Sequence, residues 1–169
     1  MLPSSIISTA ATTTTLNPVH AMPYALQTID VEVPPEQFLA VLLDYARYPE
    51  FIPEVQSIRV EPREGPGPAR TWVTYKLDAK LMLIEYTLEH VQTGPLRIEW
   101  KLVRGEFFRA NSGNWTLEAT PSGTHVSYAI DLQLGTMPAS LQRALNETGL
   151  PRLLGNFKAR AESLFAARR

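Results

Sequence analysis

The chain has 169 residues, 44% of them hydrophobic and 20% charged, with no cysteine and a formal net charge of -1. That balance describes one water-facing domain with its own core, and no stretch approaches the roughly 20 apolar residues of a membrane-spanning helix. A net charge near zero offers nucleic acid no general attraction, and the lack of cysteine excludes disulfides, thiol nucleophiles and thiolate metal sites.

Residues 1–22 are rich in Ser and Thr and show no periodicity, which reads as a disordered lead-in before a single domain at 23–169. Val19-His20-Ala21 faintly resembles an export cleavage site, but the basic start and apolar centre of a signal peptide are missing. Cytoplasmic localisation is therefore expected, with export as the alternative.

The first strand is predicted over 24–33, where Ile29, Val31 and Val33 alternate with Thr28, Asp30 and Glu32. Pro34-Pro35 stops it. A short helix follows, with Phe38, Val41, Leu42 and Tyr45 on one stripe. In the next stretch, DYARYPEFIPEV, Pro49 and Pro53 disfavour helical geometry at Tyr48 and Ile52 and steer the chain toward a second strand, VQSIRVEP. Phe51 and Ile52 are expected at a cavity mouth, and Asp44, Arg47, Glu50 and Glu54 in solvent. The loop REGPGPA follows.

From residue 70 to 134 the pattern is that of about five antiparallel strands, each with one apolar and one polar face. Tyr75, Tyr86, Trp100, Trp115 and Tyr128 share the apolar side. Gly105, Gly113 and Gly123 read as bulge or turn positions. A short helix is expected around 138–147 and a long one after it, with Leu150, Leu153, Leu154, Phe157, Ala161, Leu164 and Phe165 on one face. The elements assemble into an α+β fold in which a curved antiparallel sheet wraps a long C-terminal helix. Such a sheet and one helix enclose more volume than the helix fills, so an internal cavity is predicted.

The cavity lining is expected to comprise Tyr75, Tyr86, Trp100, Phe108, Trp115, Tyr128, Leu153 and Phe157, an aromatic surface suited to a large, weakly polar ligand. His90 lies on the same strand face. It either projects inward as a general base near neutral pH or sits hydrogen-bonded at the rim. Strict alternation breaks at GEFFRANSG, where a bulge could turn Arg109 or Asn111 inward. The three histidines, His20, His90 and His125, have no metal-ligand spacing, and the phosphate-loop, dinucleotide and serine-elbow motifs are absent. No metal or cofactor is expected.

Three pieces of the chain carry a resemblance to a known family: Asp44-Tyr45 through Pro49, Phe51 and Pro53; the strand Gly113-Asn114-Trp115; and Leu150-Pro151 at the start of the last helix. Over about residues 24–165 the chain resembles the START-related superfamily, in its polyketide cyclase/dehydrase and coenzyme Q-binding branch. The resemblance implies a helix-grip fold with a deep hydrophobic cavity for lipid-like or polycyclic molecules. The coenzyme Q-binding members usually have Trp then Cys after this loop, whereas Glu54 and Val55 follow Pro53 here, so the implied ligand is a hydrophobic molecule and not specifically ubiquinone.

Three functions follow from this reading. The first is non-enzymatic binding or carriage of a lipid, quinone or polyketide-like molecule. The second is an aromatase/cyclase acting through Tyr, Arg or His. The third is an interaction module: residues 136–169 hold six basic side chains against two acids, and Arg160, Arg168 and Arg169 would contact an anionic partner or, transiently, a membrane or protein surface. Composition leaves the oligomeric state open.

Overall fold

The computed structural model describes residues 24–79, 82–135, 140, 143 and 145–166. The expected lead-in lies outside them, as does half of the short helix expected at 138–147.

Seven strands form one antiparallel sheet: β1 (Tyr24–Val31), β2 (Val55–Arg63), β3 (Arg70–Asp78), β4 (Leu83–Gly94), β5 (Arg97–Gly105), β6 (Phe108–Thr120) and β7 (Gly123–Leu134). Their order is β1-β7-β6-β5-β4-β3-β2. β2 to β7 are neighbours in sequence, whereas β1 pairs with β7 across the whole domain, Ile29 opposite Val126. Helix α1 (Pro35–Leu43) and a 3₁₀ turn (Tyr45–Glu50) carry the chain from one sheet edge to the other. Helix α2 (Leu150–Ala166), preceded by a π turn at Leu145–Gly149, packs on β1 and α1 over the concave face. Period-two alternation aims one face of every strand at α2, and that face holds the core.

The local sequence explains α1. Pro35 occupies its first turn, where a missing N–H costs nothing, and Phe38, Val41 and Leu42 are buried. The expected stripe overshoots at Tyr45. That side chain is buried, but the helix has ended at Leu43 and Tyr45 opens the 3₁₀ turn. The extended run expected around Pro49 is also corrected, because Pro49 sits inside the turn. A 3₁₀ turn needs only a few short-range bonds, such as Arg47 N–H to Asp44 O at 3.0 Å and Phe51 N–H to Tyr48 O at 3.2 Å, and it tolerates one missing donor.

What holds this turn is Tyr48, buried with its hydroxyl donating to the Leu42 carbonyl at 2.6 Å. That carbonyl belongs to the last turn of α1 and has no partner within the helix. Tyr48→Phe is therefore expected to lower unfolding free energy by about 1–3 kcal/mol, as a urea titration would show. An unchanged midpoint would mean that water replaces the hydroxyl.

Helix α2 buries Leu150, Leu154, Phe157 and Ala161 as its periodicity requires. Leu164, expected on the same stripe, is 45% exposed, because it lies on the flank of that arc. β1 ends at Val31, two residues short of expectation, although Val33 remains buried.

Candidate functional site

Between the concave face and α2 lies a cavity of about 440 Å³. β3, β4 and β5 supply its central wall. Tyr75 and Tyr86 stand directly opposite each other in the ladder and stack at 5.1 Å. Trp100 stacks on Tyr128 at 5.2 Å, and Trp115 meets Tyr128 at 4.4 Å and Phe157 of α2 at 5.2 Å. Tyr75–Tyr86 and Trp115–Tyr128 are opposite pairs on neighbouring strands, whereas Trp100 reaches Tyr128 across Gly113 of β6.

Phe108 and Asn111 both line the cavity although they are three positions apart on β6. Regular alternation would put them on opposite faces. The β6–β7 register shifts between Phe108 and Ala110, so Arg109 is the extra residue and its successors change parity. The bulge thus chooses between the two polar residues, turning Asn111 inward and leaving Arg109 exposed, outside the lining. Arg109 is the first correction to the expected site.

Phe51 is the second. Ile52 lines the cavity, but Phe51 packs behind it, edge-on to Tyr48 at 5.7 Å and Phe157 at 5.2 Å, with the Arg160 guanidinium 5.5 Å above its ring. Tyr75, Tyr86, Trp100, Phe108, Trp115, Tyr128, Leu153 and Phe157 all border the space, as does His90. Ile84, Leu88, Ile130, Leu132 and Leu134 also border it. They share the strand parity of the tyrosines, so alternation alone would have found them.

Tyr48, Glu54, Asp78 and Arg152 also line it, and no local pattern marks them. Glu54 forms an ion pair with Arg152 across 98 residues of sequence, joining the entry of β2 to the first turn of α2 at one side of the opening. Glu50 likewise pairs with Arg160 at 2.7 Å and Arg47 at 2.6 Å. Glu50 and Glu54, expected in solvent, are thus paired, and the bases of α2 are engaged within the molecule: Lys158 also donates to the Asp30 carbonyl at 2.8 Å. Arg168 and Arg169 lie outside the described residues.

Charge is confined to the mouth. Deeper in, His90 is buried, with Nε2 2.9 Å from the Tyr75 hydroxyl and the Tyr45 ring 4.8 Å away. Burial lowers its pKa from 6.5 to about 3, so its imidazole is neutral at neutral pH and a poor base there. It sits neither at the rim nor poised as a general base, which corrects both expectations. Burial likewise pushes the phenols of Tyr48, Tyr75, Tyr86 and Tyr128 upward, and all remain protonated. Asn111 accepts the Trp100 Nε1–H at 3.0 Å. Among the described residues, no group of three or more His, Asp or Glu could hold a metal ion, and no helix is long and apolar enough to cross a membrane.

Residues 24–164 match the family model described as polyketide cyclase / dehydrase and lipid transport. The chain belongs to this family. Its fold is shared with a protein of Thermus thermophilus (22% identity, TM-score 0.72, covering 84% of this chain and 99% of that one). A START superfamily protein from Mycobacterium smegmatis is similar to a comparable degree (17% identity, TM-score 0.73, 83% and 98% covered). So is the Zhui aromatase/cyclase from a Streptomyces species (16% identity, TM-score 0.70, 83% and 94% covered). No curated protein matches the chain. The description of the polyketide cyclase / dehydrase and lipid transport family spans catalysis and transport, and the choice between them rests on the chemistry of the cavity.

Proposed function

We propose that the protein binds and carries a hydrophobic small molecule in the cavity under α2, without transforming it. The observation that carries this reading is a cavity of about 440 Å³ with aromatic and aliphatic walls and its charged side chains only at the mouth. Spaces of this size and character hold drug-sized apolar ligands. The aromatase/cyclase reading draws on the fold likeness to the Streptomyces enzyme, but it needs a group that takes up a proton near neutral pH. His90 and the buried phenols are held in their neutral forms, which favours carriage. The interaction-module reading loses support because Arg160 is already paired with Glu50.

Titration with the neutral dye Nile red, paired with native mass spectrometry, tests the proposal. One saturable site is expected, and it should vanish in Ile130→Trp, which places an indole in the cavity, while far-ultraviolet circular dichroism stays unchanged. Absence of saturable binding by the unmodified protein would overturn it.

The Glu54–Arg152 pair makes a kinetic prediction. Both side chains border the opening and are partly exposed, so the pair contributes only about 0–1 kcal/mol to stability. Arg152→Ala should leave unfolding nearly unchanged and speed dye release by about two- to fivefold in stopped-flow fluorescence. Unchanged release would show that the ligand leaves by another route.

A further inference from the structure

The deep wall of the cavity presents hydrogen-bond donors without acceptors. An indole N–H can only donate, so the Trp100 contact at 3.0 Å fixes which end of the Asn111 amide faces it: Oδ1 accepts, and the N–H₂ end is left over. Asn111 is buried and borders the cavity, and its N–H₂ has no partner among the described residues. Neither have the hydroxyls of Tyr86 and Tyr128, whose rings line the same space. These groups lie close together. Tyr128 stacks on the Trp100 that holds Asn111, Tyr86 packs on Phe108 at 4.8 Å, and the Tyr86 phenol is near enough to oppose ionisation of Tyr128.

Donors that face the cavity lose solvent as a partner when an apolar ligand fills it, and a ligand that supplies an acceptor relieves that cost. A carboxylate offers acceptors too, yet burying it requires a cation, and the one cationic side chain among the described lining residues is Arg152 at the mouth, already paired with Glu54. A hydrocarbon needs no cation but leaves the donors unmet.

We propose that Asn111, oriented by Trp100, is the specificity-determining donor of the cavity. With the hydroxyls of Tyr86 and Tyr128 it recognises an uncharged apolar molecule by a carbonyl oxygen inserted first, and it excludes the corresponding carboxylate. The proposal rests on the carrier reading and adds to it the chemical class and orientation of the cargo.

Three probes on one ring skeleton test it: methyl naphthyl ketone, ethylnaphthalene and naphthoate, titrated into the full chain at neutral pH with tryptophan quenching and calorimetry as readouts. The ketone is expected to bind about tenfold more tightly than ethylnaphthalene, the ratio that one net hydrogen bond supplies, and naphthoate more weakly than either. Asn111→Leu removes the N–H₂ at similar volume without introducing charge, so the ketone should lose its advantage while ethylnaphthalene binds within about twofold of before. Tyr128→Phe removes a single hydroxyl at constant shape and should narrow the ratio in the same direction. Should the Asn111→Leu variant fail to fold, the probe ranking on the unmodified chain and on Tyr128→Phe decides.

Equal affinity for ketone and ethylnaphthalene, or naphthoate binding as tightly as ketone, would overturn this inference and leave the carrier reading standing. Failure of all three probes together with Nile red would overturn both.

Discussion

Gly113→Ala should destabilise the protein by about 3 kcal/mol or more and disorder the cavity wall. Gly113 was expected at a bulge or turn, yet it sits in regular ladder, opposite Trp100 on one side and Ile130 on the other. What demands glycine there is close approach. A Cβ would overlap the Ala129 carbonyl oxygen and the six-membered ring of Trp100. The carbonyl belongs to β7 and cannot retreat without distorting the sheet, so Trp100 would have to move, losing its stack on Tyr128 and its bond to Asn111. Denaturant midpoints and near-ultraviolet circular dichroism report the two parts of the effect. Gly155 supplies the control: it lies within α2 with nothing near its missing Cβ, so Gly155→Ala should be stabilising by about 0.5–1 kcal/mol. A Gly113 variant that loses less than about 1 kcal/mol and keeps its tryptophan signal would show that the wall is looser than its geometry implies.

The second large effect is on pH dependence. His90 titrates near 6.5 when unfolded and near 3 when folded, because burial penalises its charged form. Between those values the unfolded chain binds the extra proton, so stability falls as pH falls. The contribution of the neutral imidazole is complete above pH 6.5 and is progressively lost toward pH 3, a total on the order of 5 kcal/mol. Glu50 and Glu89 also resist protonation in the fold, Glu50 first through its bond from Arg47 and Glu89 first through its bond from Lys101. Their losses come at lower pH, below the ordinary carboxylate value of 4.5. His90→Phe should accordingly flatten the slope between about pH 6.5 and 5, and lower the plateau by orphaning the Tyr75 hydroxyl. Stability measured by urea titration across that range checks the sign. A variant with the same slope as the parent would place the histidine's proton elsewhere.

The strand faces were legible before any coordinates because the side-chain period of a strand is two. Once Tyr75, Tyr86, Trp100 and Tyr128 fell on apolar faces, their meeting in one wall followed from pairing neighbouring strands in register. The same logic held for Leu150, Leu154, Phe157 and Ala161 at helical spacing. It failed where one inserted residue resets the count. No alternation rule says whether a bulge at Arg109 turns Arg109 or Asn111 inward, because the pairing of β6 with β7 decides it. Nor can it show that Tyr48 caps α1 from within a proline-containing turn, or that Gly113 gives way to an indole from the adjacent strand.

By itself, then, the sequence determined the inward face of the regular strands, that a single long helix covers it, and the family to which the chain belongs, since each is carried by short-range patterns. Only the tertiary structure decided how polar groups are spent. The partner of Glu54 lies 98 residues away, and the neutrality of His90 comes from the walls that bury it. The free N–H₂ of Asn111 exists because Trp100 claims the other end of the amide. Charge and hydrogen bonding depend on distances in space, which no local pattern records, and these decide what the cavity can hold.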